Sequence, residues 1–160
     1  MCLTHIQPWT SRTWTREIAK LFSLEPTEFD RATIEAYAAQ LISCCSIVVV
    51  RCGEYGSLTI SPSLPSGSLW LPAFHSTSVV DATGAGNAFL GGFVAGWIKT
   101  GDVREASMYG AVAASFVVEQ VGLPKLTRDE GGDDKKWNDV VMEERLAEYQ
   151  KRVENGTGDM

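Results

Sequence analysis

Apolar positions along this chain change their period several times, and each change predicts a new element. The stretch REIAKLF (16–22) reads as a short helix, which Pro26 separates from the next apolar stretch. Residues 29–42, FDRATIEAYAAQLI, place Ile34, Ala38, Leu41 and Ile42 on one face and predict a second helix. SIVVV (46–50) is β-branched and continuous, which predicts a strand buried on both faces, as in a parallel sheet. CGEY with Gly56 makes a turn, SLTI (57–60) a short strand, and the Ser-, Pro- and Gly-rich residues 61–72 a loop. STSVV (76–80) predicts a strand or sheet edge. Helices are predicted over 87–99 and 104–120, the latter with Ala106, Gly110, Ala113 and Ala114 suited to close packing and with Gly122 and Pro124 ending it. EGGDDKK (130–136) reads as a solvated loop. Met142, Leu146, Tyr149 and Val153 recur at spacings of four, three and four, giving an amphipathic last helix. Helices alternating with buried strands predict a layered α/β domain.

Composition narrows the function. With 160 residues, 44% of them hydrophobic, the chain is long enough to bury a core. A net charge of -6 argues against nucleic acid as a partner, because phosphate neutralisation needs clustered Lys and Arg. The longest apolar runs, near 46–50 and 111–118, are too short to cross a membrane, and the first fifteen residues lack the apolar stretch of a signal peptide. Cys2, Cys44, Cys45 and Cys52 have no CxxC spacing, so buried free thiols in a reducing compartment, the cytoplasm or the nucleus, are expected. His5 and His75 lack partners at ligand spacing, and Trp70 and Trp97 read as packing residues.

The densest pattern is DATGAGNAFLGG, residues 81–92. A glycine turn opening a helix exposes backbone N–H groups with no Cβ in the way, and the helix dipole adds partial positive charge; together they cradle an anion. The other reading is a turn that merely packs tightly, and the residues alone leave both open. A Walker A loop is excluded, since no lysine occurs between Ala73 and Ile98. A dinucleotide fingerprint is excluded by Phe89, which stands where its third glycine belongs.

Asp81, Thr83, Gly84, Ala85, Gly86, Phe89, Gly91 and Gly92 nevertheless resemble the C-terminal signature of the ribokinase/PfkB family of sugar and nucleoside kinases. VVVRCGEYG resembles the family's strand and turn beside ATP: Gly53 and Gly56 match, whereas Arg51 and Cys52 replace the usual Thr and Leu. GAVAASFVVEQVG resembles the family's alanine-rich helix and the glycine beside the adenine. SFVVEQVGLP and the tail pattern W-N…ER-L-x-x-Y are similar to a fungal branch associated with maintenance of killer virus.

The resemblance implies a ribokinase-like three-layer αβα fold with a parallel sheet between helices, here a partial domain without the family's β lid. It spans residues 14–154, with an uncertain segment at 1–13 and a flexible tail at 155–160. It implies ATP with Mg²⁺, a monovalent cation near Asp81, and a sugar or nucleoside acceptor. By the same resemblance Gly53, Gly56, Asp81, Thr83, Ala113, Ala114 and Gly122 border the nucleotide, and Gly84, Ala85 and Gly86 form the anion hole. Position 87 is the family's general base, but here it is Asn87, a carboxamide without usable basicity near neutral pH, expected also to cap the helix. WTRE (14–17) stands for the family's N-x-x-E motif, keeping Glu17 toward the metal and placing Trp14 at the asparagine. A half domain should expose apolar surface, which predicts self-association or a protein partner. Active kinase, nucleotide-binding pseudokinase and ligand-free remnant are the three readings these residues allow.

Overall fold

The computed structural model describes residues 30–43, 45–76, 78–128 and 135–156. The chain divides into two compact units, Met1–Ala73 and Phe74–Met160. The predicted helix over 16–22 lies outside the described residues.

In the first unit, helix α1 (Arg31–Leu41) starts at Asp30, whose carboxylate accepts the N–H groups of Ala32 and Thr33 at 3.2 and 3.0 Å. This is the side-chain cap that a helix start favours. Ile34 and Ala38 face inward and join Val48, Val50, Cys52, Leu58 and Ile60 in one core, with Tyr37, Leu41 and Ile42 against it. Strands β1 (Val48–Arg51) and β2 (Ser57–Ile60) are buried at every position. β3 (Ser68–Leu71) completes a three-stranded sheet in the order β1-β2-β3.

That sheet is antiparallel throughout, with Val48 opposite Ile60 and Ser57 opposite Leu71. β1 thus has the burial its composition predicts without the parallel pairing. The reason is the turn: the Cys52 N–H donates to the Gly56 carbonyl at 2.7 Å, closing a reversal of a few residues. Parallel neighbours would need a crossover of about a dozen residues or more. The predicted loop 61–72 is likewise shorter than expected. Its Ser, Pro and Gly signals make only the turn at 61–67, tied by Ser61 N–H to the Gly67 carbonyl at 3.0 Å, and SLWL then pairs with β2.

The second unit is built on a helical hairpin, α2 (Ala85–Thr100) and α3 (Val103–Val118). Gly101, left-handed at φ 67°, ends α2, and the Asp102 carboxylate caps α3 by accepting the Glu105 N–H at 2.8 Å. The helices approach closely because their contact is glycine. A Cβ on Gly92 would lie 2.5 Å from that of Ala113, and one on Gly96 would lie 2.7 Å from that of Tyr109.

A small antiparallel sheet comes next, β4 (Leu126–Arg128), β5 (Lys135–Trp137) and β6 (Val140–Val141), and then α4 (Met142–Glu154). Of the predicted solvated loop 130–136, Lys135 and Lys136 belong to β5, and the rest lies outside the described residues. Both sheets among the described residues are antiparallel.

Two further expectations need correction. α3 ends at Val118 rather than 120, because Gln120 turns back and donates through Nε2 to the carbonyls of Phe116 and Val117 at 2.8 and 3.1 Å. Residues 76 and 78–80 form no strand. Val80 and Asp81 instead direct their N–H groups to one helix-end carbonyl, that of Val118, so no ladder forms. Among the described residues, no helix is long and apolar enough to cross a membrane.

Candidate functional site

The glycine turn is assembled from its N-terminal side. The Val118 carbonyl accepts Val80 N–H at 2.7 Å and Asp81 N–H at 3.2 Å, fixing the entry. Asp81 then accepts the Thr83 N–H at 2.9 Å, an Asx turn that bends the chain toward α2. Hydrogen bonding from the Thr83 side chain, then from its backbone, holds the exposed Asp81 carboxyl below its ordinary range. Gly84 comes next at φ 85°, the left-handed region that only glycine enters cheaply, and caps the helix without a side chain.

The N–H groups here fall into two sets. Ala85 donates to the Ala82 carbonyl at 3.2 Å, and Asn87 and Ala88 both donate to the Gly84 carbonyl at 3.0 Å. Gly84 and Gly86 have no acceptor among the described residues, and Gly84 is exposed. Of the three residues expected to form an anion hole, Ala85 is thus engaged, while Gly84 and Gly86 on either side of it have N–H groups without an acceptor among the described residues. Asn87 does not cap α2: Gly84 holds that place and Asn87 stands in the first turn, exposed. With asparagine there, the first turn of α2 carries no acidic residue to oppose the dipole.

The remaining expected site residues divide by unit. Asp81, Thr83, Gly84, Ala85 and Gly86 share the turn of the second unit. Ala113 packs its methyl against Gly92, so its smallness serves the helix contact, and Ala114 beside it is half-buried. Gly122 is left-handed at φ 89° and exposed, four residues beyond the end of α3. Gly53 and Gly56 belong to the first unit. Gly56, at φ 92°, is required by close approach, since a Cβ there would fall 2.0 Å from the Leu71 carbonyl oxygen. Arg51 is buried, which lowers its guanidinium pKa. Cys52 is fully buried and its thiol is pushed up to about 12, the inert state expected of a packing cysteine. Glu17 and Trp14 lie outside the described residues.

Among the described residues, no three or more His, Cys, Asp or Glu side chains gather as a metal site. The donors present suit phosphate oxygens instead, so Mg²⁺ would be held by phosphates and water with little help from these side chains.

Sequence reasoning missed a partly buried polar cluster behind the turn. Arg145 forms a bidentate pair with Glu119 at 2.8 and 3.2 Å, bonds Ser115 Oγ at 3.2 Å, and lies 4.0 Å over the Phe116 ring. The Asn138 amide nitrogen reaches the Phe116 carbonyl at 2.9 Å and Gln120 Oε1 at 2.6 Å, while its oxygen accepts the Lys125 N–H at 3.0 Å. The signal was in view. SFVVEQVGLP and W-N…ER-L-x-x-Y, which carry a family resemblance in the sequence, contain the two sides of one interaction.

Comparison with known proteins shows the family to which the chain belongs. Protein MAK32 of Saccharomyces cerevisiae is 32% identical over 142 residues, which cover 83% of this chain and 38% of that protein. A nucleoside kinase of Methanocaldococcus jannaschii is 30% identical over 101 residues, covering 59% of this chain and 31% of the kinase. The ribokinase of Thermotoga maritima superposes with a TM-score of 0.57 at 20% identity, over 86% of this chain and 39% of the enzyme, which speaks to the fold. The chain thus spans less than two fifths of each of these relatives. The pattern of the pfkB family carbohydrate kinases matches residues 8–127, running through the Gly53–Gly56 turn, the Asp81–Gly86 turn and the α2–α3 hairpin. By that match, this chain belongs to the pfkB family of carbohydrate kinases.

Proposed function

We propose that this chain carries the phosphate-facing part of an ATP-dependent phosphotransferase acting on a sugar or nucleoside hydroxyl, within the three-layer parallel fold of the intact family. The supporting observation is the left-handed Gly84 with the unengaged N–H groups of Gly84 and Gly86 at the start of α2. A transferring phosphoryl group spreads charge over its equatorial oxygens, and fixed backbone donors stabilise it without reorganising. Mg²⁺ bound with ATP would neutralise part of the phosphate charge.

Position 87 adjoins these donors, but a carboxamide cannot take the proton of an attacking hydroxyl. Loss of a general base costs about 10² to 10⁴ in rate, whereas binding through backbone N–H groups is spared. This leads to a second reading: a nucleotide-binding pseudokinase that acts through a protein partner in the cytoplasm. It is favoured by Asn87 and by the exposed Val79, Val121 and Leu123, at 66%, 78% and 89% accessible.

One experiment separates the readings. Mg–ATP binding is measured by calorimetry, and phosphorylation of a sugar and nucleoside panel is compared between the natural protein and Asn87→Asp in its longest authentic form. Binding with near-background transfer, and a large gain on Asn87→Asp, is the expected result. Robust transfer with Asn87 in place removes the pseudokinase reading. Absence of nucleotide binding removes both.

A further inference from the structure

The carbonyl groups that end a helix have no partner within it and must find one elsewhere. At the end of α3 they are shared between two distant segments. Phe116 receives Gln120 and Asn138, Val117 receives Gln120, and Val118 receives Val80 and Asp81. Arg145 and Glu119 of the same cluster, together with Arg152, also hold the approach to the glycine turn at several points. Phe74 lies 5.4 Å from the Arg145 guanidinium and 5.3 Å from that of Arg152. Arg152 donates to the His75 carbonyl at 3.2 Å, and Ser76 Oγ donates to Glu119 at 3.2 Å. Residues 74–76 and 78–81 are therefore tied to α4 and the end of α3 at His75, Ser76, Val80 and Asp81.

We propose that Asn138 and Arg145 are positioning residues for the glycine turn, fixing the end of α3 so that the Val118 carbonyl can hold the N–H groups of Val80 and Asp81. Neither residue is expected to touch the anion. Asn138 acts at Phe116 and Gln120, on either side of Val118, and Arg145 acts through Glu119, the next residue in the chain. That the turn receives an anion rests on the proposed phosphotransferase function; that the turn is braced from behind does not. A coupling of this kind is a claim about energy, so its test must read the turn itself rather than overall stability.

The test is amide hydrogen exchange on the ¹⁵N-labelled chain, natural and substituted. Asn138→Gly removes the side chain while keeping a residue suited to φ 49°. Arg145→Lys keeps charge and stem but loses the planar fork. Glu119→Gln keeps shape and removes only the charge. Exchange at Val80 and Asp81 should quicken about tenfold in Asn138→Gly, the scale of one net hydrogen bond, and by less in the other two. The mid-helix amides of Ala111 and Val112 serve as the reference for global opening and should hold their rates. Unchanged exchange at Val80 and Asp81 relative to these two amides overturns the proposal. If Asn138→Gly or Arg145→Lys fails to fold, Glu119→Gln decides by the same ratio. Mg–ATP binding is recorded separately. Its absence in the natural chain defeats the proposed function and leaves the brace, whereas unaltered exchange defeats the brace and leaves the function.

Discussion

The glycine turn and the cluster behind it handle polar groups in opposite ways. At 81–87 the N–H groups of Gly84 and Gly86 have no acceptor among the described residues and lie near the surface, with no charge in the first turn of the helix. Around Arg145 the chain does the reverse: this residue, 8% accessible, meets a carboxylate, a hydroxyl and two aromatic faces. Open donors at a surface cost little, because water serves them until a ligand arrives. A buried charge has no such reserve and must be answered by the protein itself. The contrast separates a turn with open donors from the packing that holds that turn in place.

The largest effect that would break this contrast is at Arg145. Arg145→Ala leaves Glu119 in a partly buried site without its cationic partner, a change expected to cost about 3–5 kcal/mol. Urea unfolding of the second unit reads it, and a loss below about 1 kcal/mol would show the pair to be solvated and the comparison mistaken.

A smaller effect is expected at Gly84. An added methyl meets only Val117 Cγ1 at 3.8 Å, an ordinary contact, so the cost of Gly84→Ala is the left-handed backbone alone, about 1–2 kcal/mol. Mg–ATP binding, if it uses this turn, should fall further than stability does. Equal losses in calorimetry and in unfolding would make the turn a structural element only.

The smallest effect is in acid. Asp81 titrates below its ordinary value of 3.8, so its contribution is present above about pH 4 and is lost as pH falls through the lower, folded-state value. The Thr83 amide should report this titration in ¹⁵N spectra. A midpoint at or above 3.8 would mean that the Asx turn is not held in solution.

Much of this was legible from the residues. The spacing of Ile34, Ala38 and Leu41, and that of Met142, Leu146 and Tyr149, gave helices α1 and α4, because an apolar stripe at helical period has one way to be buried. The glycine turn was legible from Gly84 and the apolar run after it. β3 was not, since SLWL is short and sits among Ser, Pro and Gly, and only its register opposite β2 makes it a strand. STSVV misled in the other direction: β-branched residues favour extended backbone, but a strand needs a neighbour, and Val80 found a helix end instead. Within the site, the number of free donors was illegible, because it depends on which carbonyls Ala85 and Asn87 reach. The Arg145–Glu119 pair joins residues far apart in the chain, a pairing that no local pattern announces.

The two-residue link between α2 and α3 has a kinetic consequence. Contacts between residues near in sequence close faster than distant ones, because less chain entropy is lost before they form. Gly92 with Ala113 and Gly96 with Tyr109 are contacts of the first kind, whereas Arg145 with Ser115 must wait for the small sheet between them. Pulse-labelled refolding should therefore protect amides in the α2–α3 hairpin before those of Val80 and Asp81, and simultaneous protection would count against this order. The chain then makes the α2–α3 hairpin early and sets the approach to the glycine turn last, so that the geometry of the turn depends on the slowest contact to close.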